Sequence, residues 1–199
     1  MAWALLELSA VTGVERFRTA ALAAITYERS LFVPEAGNWL DLREHEAVKQ
    51  AGEGKQQTLI TAWCHGAPGI GLARLHTLPH LDDAAIRAEI HAALQTTLAR
   101  GFGLNHSLCH GDLGNLELLV QASERLEDGQ WGAQVHRLAA MILDSIGRHG
   151  WLCGIPLGVE SPGLMTGLAG IGYALLRLAE PAHVPSVLVL APPPHYTSR

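Results

Sequence analysis

Three copies of one glycine pattern constrain this chain more than any other feature. WCHGAPGIGLARL (63–75), LCHGDLGNLELLV (108–120) and MTGLAGIGYALLRL (165–178) each hold a glycine, two residues, a second glycine and then an apolar run. The first glycines are Gly66, Gly111 and Gly167, separated by 45 (111 − 66) and 56 (167 − 111) residues. A repeat of this length suggests an array of helix pairs, each pair supplying one outer amphipathic helix and one inner apolar helix. Glycine-rich helix starts also recur by chance in all-α proteins, but three copies with the same G-x-x-G spacing favour a repeat. A turn that enters a buried helix brings backbone close to backbone and often needs positive φ, and glycine permits both. Such turns also aim the unpaired N–H groups of the helix starts at a shared centre. Residues on them therefore converge on one face, and function is expected there.

The segments between the repeats have helical periodicity and almost no period-2 alternation. In DDAAIRAEIHAALQTTLARG, Ile86, Ile90, Leu94 and Leu98 form one apolar stripe, with Asp82 or Asp83 as cap and Gly101 as a left-handed terminator. In GAQVHRLAAMILDSIGRHG, Val135, Leu138, Ile142 and Ile146 repeat the pattern, and Gly147 or Gly150 ends it. A looser stripe runs through Phe17, Ala21, Ala24, Tyr27 and Leu31. Residues 32–57 read as a long irregular surface connection, 76–81 and 153–163 as proline-marked turns, and the run after Pro185 as a short packed extended segment. The expected fold class is all-α, a partial α/α array.

Composition narrows the function classes. The 199 residues are 48% hydrophobic and 17% charged, enough apolar content for a substantial core. The formal net charge of -5, without Lys/Arg blocks, provides no footprint for nucleic acid or an anionic membrane. The apolar N-terminus lacks a basic start and is interrupted by Glu7 and Glu15, so it makes a poor signal peptide. No stretch approaches the roughly 20 apolar residues of a transmembrane span. A cytoplasmic protein without a transmembrane segment is the expectation. Cys64, Cys109 and Cys153 are odd in number and widely spaced, which argues for reduced thiols rather than a disulfide framework.

Cys64 precedes the first G-x-x-G motif, and Cys109 with His110 precedes the second. Equivalent turns would bring the two cysteines together. Adjacent residues of a regular helix point about 100° apart, so Cys109 and His110 can share a metal only if they lie in the turn. Two thiolates and one imidazole leave the fourth tetrahedral position of a zinc ion open, the pattern of a catalytic site. The two thiolates neutralise Zn²⁺, and a third thiol ionised at the open position would be a carbon nucleophile. Unpaired cysteines are often simply core residues, so the matched turns carry the metal reading. Cys153 is out of phase with the other two and reads as a buried or loop thiol, although a closed Cys₃His site would need it. His65 can orient a bound group or donate a proton, with packing or a supporting hydrogen bond as the plainer role. His45, His76, His80, His91, His106, His136, His149, His183 and His195 share no spacing and read as surface or loop residues. Glu160 and Asp144 do not sit at equivalent turns, which weakens the alternative of a carbohydrate-cleaving α/α barrel.

With these residues placed, the sequence resembles the cyclase domain of class II lanthipeptide synthetases, the LanM type, related to the LanC cyclases. WCHGAPGIGLARL and LCHGDLGNLELL are similar to that family's two zinc motifs. ERSLFVPEAGNWLDLR, PGLMTGLAGIGYALLRLA and VPSVLVL are similar to other LanM segments, so the resemblance covers essentially the whole chain. It implies zinc held by Cys64, Cys109 and His110 at the centre of an α/α toroid. It also implies addition of a precursor-peptide cysteine to dehydroalanine or dehydrobutyrine, forming lanthionine or methyllanthionine. MAWALLELSAVTG resembles the inner helix that follows a further H-G-x-x-G turn, whose histidine is proposed in the family to handle the proton. The expectation is therefore the C-terminal part of a cyclase domain (residues 1–199), without the earlier helix pairs, their upstream aspartate or the dehydratase domain. The implied partners are the dehydrated precursor peptide and either a separately encoded N-terminal synthetase part or a second copy. The alternative is a non-catalytic, zinc-stabilised helical module that binds a peptide or partner.

Overall fold

A computed structural model describes residues 1–42, 59–126 and 128–192. Seven α-helices dominate the described residues: α1 (Ala2–Thr12), α2 (Glu15–Ser30), α3 (Ala67–Thr77), α4 (Ala84–Arg100), α5 (Asp112–Arg125), α6 (Gln130–His149) and α7 (Leu168–Ala179). Among the described residues the strand content is one hairpin, β1 (Phe32–Val33) against β2 (Asn38–Trp39), antiparallel with Phe32 opposite Trp39. The fold is all-α, as the periodicity predicts. The chain divides into two compact units, Met1–Thr61 with His65–Arg100, and Ala62–Cys64 with Gly101–Arg199.

In the first unit α1 packs on α2 and α3, and α3 packs on α4. Ile86, Ile90 and Leu94 of α4 are buried as its stripe predicts, and Asp83 caps the helix by accepting the Ile86 N–H at 2.8 Å. Gly101 is not left-handed; the positive φ in this loop belongs to Gly103, at 94°. The stripe expected on α2 is also shifted. Ala21 and Ile25 are buried while Tyr27 is 58% exposed. The face of α2 that turns inward carries charge. Arg74 on α3 is fully buried and donates to Glu28 at 2.8 Å and to Glu89, which also takes Arg29. A charge this deep is tolerable only with such partners, and an apolar count cannot register them.

The described part of the 32–57 connection is ordered rather than a surface loop. Asn38 and Trp39 are buried, and Thr96 Oγ1 on α4 donates to the Gly37 carbonyl at 2.6 Å. Residues 43–58 lie outside the described residues, as do His45 and His195.

In the second unit α5 is the inner helix, with every residue from Asp112 to Ala122 buried. α6 lies against it with Trp131, Leu138 and Ile142 buried, and stops at Gly150, whose φ is 74°. Gly147 is inside that helix, so of the two candidate terminators Gly150 is used. α7 also packs on α5. Arg177 of α7 donates to both carboxylate oxygens of Glu117 (3.0 and 2.9 Å), to Val184 O at 2.9 Å and to Pro181 O at 3.4 Å. The segment after Pro185 is a 3₁₀ turn, Val187–Val189, rather than an extended strand. The Tyr173 hydroxyl, donating to Pro185 O at 2.6 Å, leads the chain into it.

Candidate metal centre

Gly66, Gly111 and Gly167 are the N-cap residues of α3, α5 and α7, so the three glycine motifs are three helix starts of one kind. Only Gly66 needs glycine for its backbone angle, with φ of 87°. Gly111 and Gly167 have extended backbone, and their constraint is contact. A Cβ on Gly111 would meet Asn105 O at 2.5 Å, and one on Gly167 would meet Ser161 O at 2.2 Å. The second glycines are tighter still. A Cβ would reach Leu108 O at 1.8 Å from Gly114 and Leu164 O at 1.7 Å from Gly170. In each of these four cases the crowded carbonyl lies six residues earlier. The incoming turn is laid directly on the first turn of its own helix.

The turns are also bonded to one another. Cys64 N–H donates to Cys109 O at 3.1 Å, and Cys109 N–H donates to Met165 O at 2.8 Å. Cys64, Cys109 and Met165 each stand two residues before the first glycine of their motif, so equivalent positions are joined in series. Cys109 and His110 lie in the turn before α5, not in the helix. As a result Cys64 Sγ, Cys109 Sγ and a ring nitrogen of His110 all lie within 4.8 Å of one another, and all three residues are half-buried.

Asparagines and an aspartate fix these turns from nearby. Asn38, fully buried, accepts the Ala67 N–H at 2.8 Å through Oδ1 and donates through Nδ2 to Ile60 O at 3.1 Å. It caps α3 in place of Gly66, which has no side chain to do so. Ahead of α5, Asn105 Oδ1 accepts the Ser107 N–H at 3.0 Å, and Asn105 O accepts the Asp112 N–H at 2.7 Å. Asp112 gathers the backbone N–H groups of Gly103 and Leu104. Burial raises the Asp112 pKa, and those two N–H donors work against the rise. Sequence reading missed all three residues. The signal available for Asn105 was its place six residues before Gly111.

Other sequence candidates fall elsewhere. Cys153 is buried in an irregular segment and is not part of the three-residue group. His65 Nδ1 lies 3.5 Å from Asp41 Oδ2, and that carboxylate is almost wholly buried. Two histidines read as surface or loop residues are buried, His76 in α3 and His106 at 1% exposure. The His76 ring lies tilted against Trp3 with centroids 4.7 Å apart, and His106 accepts the Leu152 N–H at Nδ1.

The donor set suits zinc. Zinc takes thiolate and imidazole together, with Zn–S near 2.3 Å and Zn–N near 2.0 Å, so tetrahedral donors stand roughly 3.5–3.8 Å apart. Three donors already within 4.8 Å need only small side-chain rotations to reach that spacing.

The family model for lanthionine synthetase C-like proteins matches residues 1–189, and the chain belongs to that family. A stretch of 128 residues is 29% identical to the lacticin 481/lactococcin biosynthesis protein LcnDR2 of Lactococcus lactis subsp. lactis. The match spans 58% of this chain but only 14% of that longer protein. Among the described residues no helix is long and apolar enough to cross a membrane.

Proposed function

We propose that this chain carries the zinc-holding part of a lanthionine cyclase domain acting in lanthipeptide biosynthesis in the cytoplasm. The observation that carries the reading is the gathering of Cys64, Cys109 and His110 within 4.8 Å on two equivalent turns of a LanC-like chain. Cys64 and Cys109 would bind as thiolates and His110 as a neutral imidazole, leaving one position for a substrate sulfur. Zinc, when bound, lets an incoming thiol ionise at neutral pH.

The reaction is an addition without redox change. The peptide cysteine gives up its S–H proton, and its sulfur bonds to the β-carbon of dehydroalanine or dehydrobutyrine. The electrons of the C=C bond move towards the adjoining carbonyl as an enolate, and the α-carbon then takes a proton. The chain's part is to hold sulfur and alkene together in orientation. His65, one residue from Cys64 and beside the Asp41 carboxylate, is assigned to orienting a bound group.

The partners in this reading are the dehydrated precursor peptide and either a further synthetase part or a second copy. α1 leaves Met1, Leu8 and Val11 exposed, an apolar face that such a partner would cover. Sedimentation as a monomer at all concentrations would remove the second copy from this account.

The test uses zinc-loaded chain and a dehydrated precursor peptide, with free peptide thiols counted by alkylation and mass spectrometry. Thiol loss that depends on Cys109 supports cyclisation. Full zinc occupancy without thiol loss, alone or with the remaining synthetase part, favours the non-catalytic peptide-binding module.

A further inference from the structure

The segment 152–154 passes close to His110, and its last residue is a glycine. A Cβ on Gly154 would lie 2.9 Å from His110 Nε2, 2.5 Å from Ser107 Oγ and 3.0 Å from Ser107 Cβ. Gly154 has no positive φ, so its backbone does not require glycine. Nor can the segment move aside freely. Gly154 N–H donates to Thr166 O at 2.7 Å, and Leu152 O accepts the His106 N–H at 2.8 Å. Leu152 N–H in turn donates to His106 Nδ1 at 3.1 Å. The strap is therefore held on one side by the turn before α5 and on the other by the turn before α7.

We propose that Gly154 is a positioning residue for His110: its missing side chain is the space that lets the imidazole sit beside the two cysteines. This rests on the zinc reading of Cys64, Cys109 and His110. The three atoms nearest a methyl group at position 154 are all side-chain atoms, two of Ser107 and the tip of the His110 ring. The ring, free to rotate about its χ angles, yields before the hydrogen-bonded strap does. The damage then falls on the metal donor set rather than on the fold. Removing a group that orients a metal ligand typically costs 10–100-fold in metal affinity, and a group that pushes the ligand aside acts through the same coordinate.

The test compares zinc affinity, by competition with a chromophoric chelator, and the Co²⁺ ligand-field spectrum of the full chain with those of Gly154→Ala. The expected result is at least about tenfold weaker zinc binding and an altered cobalt spectrum, with the urea midpoint of the metal-free protein unchanged. Gly129→Ala, at a glycine with nothing within 4 Å of its added Cβ, serves as control. If Gly154→Ala fails to fold, the double variant Ser107→Ala/Gly154→Ala removes the closest overlap and leaves the His110 contact. It is expected to bind zinc at least tenfold more weakly than Ser107→Ala alone. Wild-type affinity and spectrum in Gly154→Ala, or equal affinity of the double variant and Ser107→Ala, would overturn the proposal. Wild-type protein that binds no zinc would instead remove the reading beneath it.

Discussion

The backbone N–H of Cys64 donates to the carbonyl of Cys109 at 3.1 Å, so the two thiols are brought together by main chain before either side chain is oriented. With Cys109 N–H on Met165 O at 2.8 Å, three helix-entry turns form one bonded series. Two of them carry the metal-type donors. The third carries Met165 and Thr166 at the matching positions and contributes only backbone.

The steric fit of these turns predicts a sharp contrast between glycines. Gly114→Ala would place a Cβ 1.8 Å from the Leu108 carbonyl oxygen, a backbone atom that cannot rotate away. Overpacking of this kind costs about 1–3 kcal/mol and sometimes more, and here it displaces the turn bearing Cys109 and His110. Gly129→Ala meets open space with φ of -63°, and is expected to be neutral or stabilising by up to about 1 kcal/mol. Urea unfolding of the two variants checks this. Equal midpoints would contradict the role given to Gly114.

Arg177 ties α5, α7 and the segment after α7 together. Burial opposes its charge, but the hydrogen bonds it donates to Glu117 and the charges of Glu117 and Glu124 outweigh that and raise its pKa. Arg177→Ala leaves Glu117 buried without its partner and frees the Pro181 and Val184 carbonyls. A loss of about 3–5 kcal/mol is expected, the range for breaking a buried pair from one side. Arg177→Lys would recover only part of it, because one ammonium cannot hold Glu117 as Nε does and also reach the Pro181 and Val184 carbonyls as Nη1 does. A loss under 1 kcal/mol in denaturant unfolding would show that the pair is dispensable.

Much of this was legible in the sequence because it is local and steric. G-x-x-G marks a helix start whose backbone is crowded from six residues upstream, and the three copies are visible without knowing where they sit in space. What the sequence hid is non-local. Asn38 caps a helix that begins at Ala67, and no short window contains both. The inward face of α2 is set by Glu28 and Arg29 meeting Arg74 and Glu89, so counting apolar residues put Tyr27 inside in error. His106 has no repeat partner to mark it, and its burial follows from a strap that arrives 46 residues later.

That burial sets a pH dependence. Desolvation lowers the His106 pKa, the Asp112 charge pulls it back up, and His149 adds to the lowering. The unfolded chain takes up this proton near pH 6.5, the folded chain only at lower pH. The contribution to stability is thus complete above about pH 6.5 and is lost as pH falls towards the folded pKa. Urea midpoints of metal-free protein should decline below that pH, and His106→Gln should show a shallower decline. Identical slopes would contradict the assignment.

The most direct test of the central claim is the zinc content of the purified full chain, measured by elemental mass spectrometry beside Cys64→Ala, Cys109→Ala and His110→Ala. Three donors already within 4.8 Å predict close to one zinc per chain in the wild type. Each variant should lose affinity by more than the roughly 100-fold that an outer hydrogen-bond partner can account for. A wild-type content far below one equivalent, or variants that keep their zinc, would contradict it.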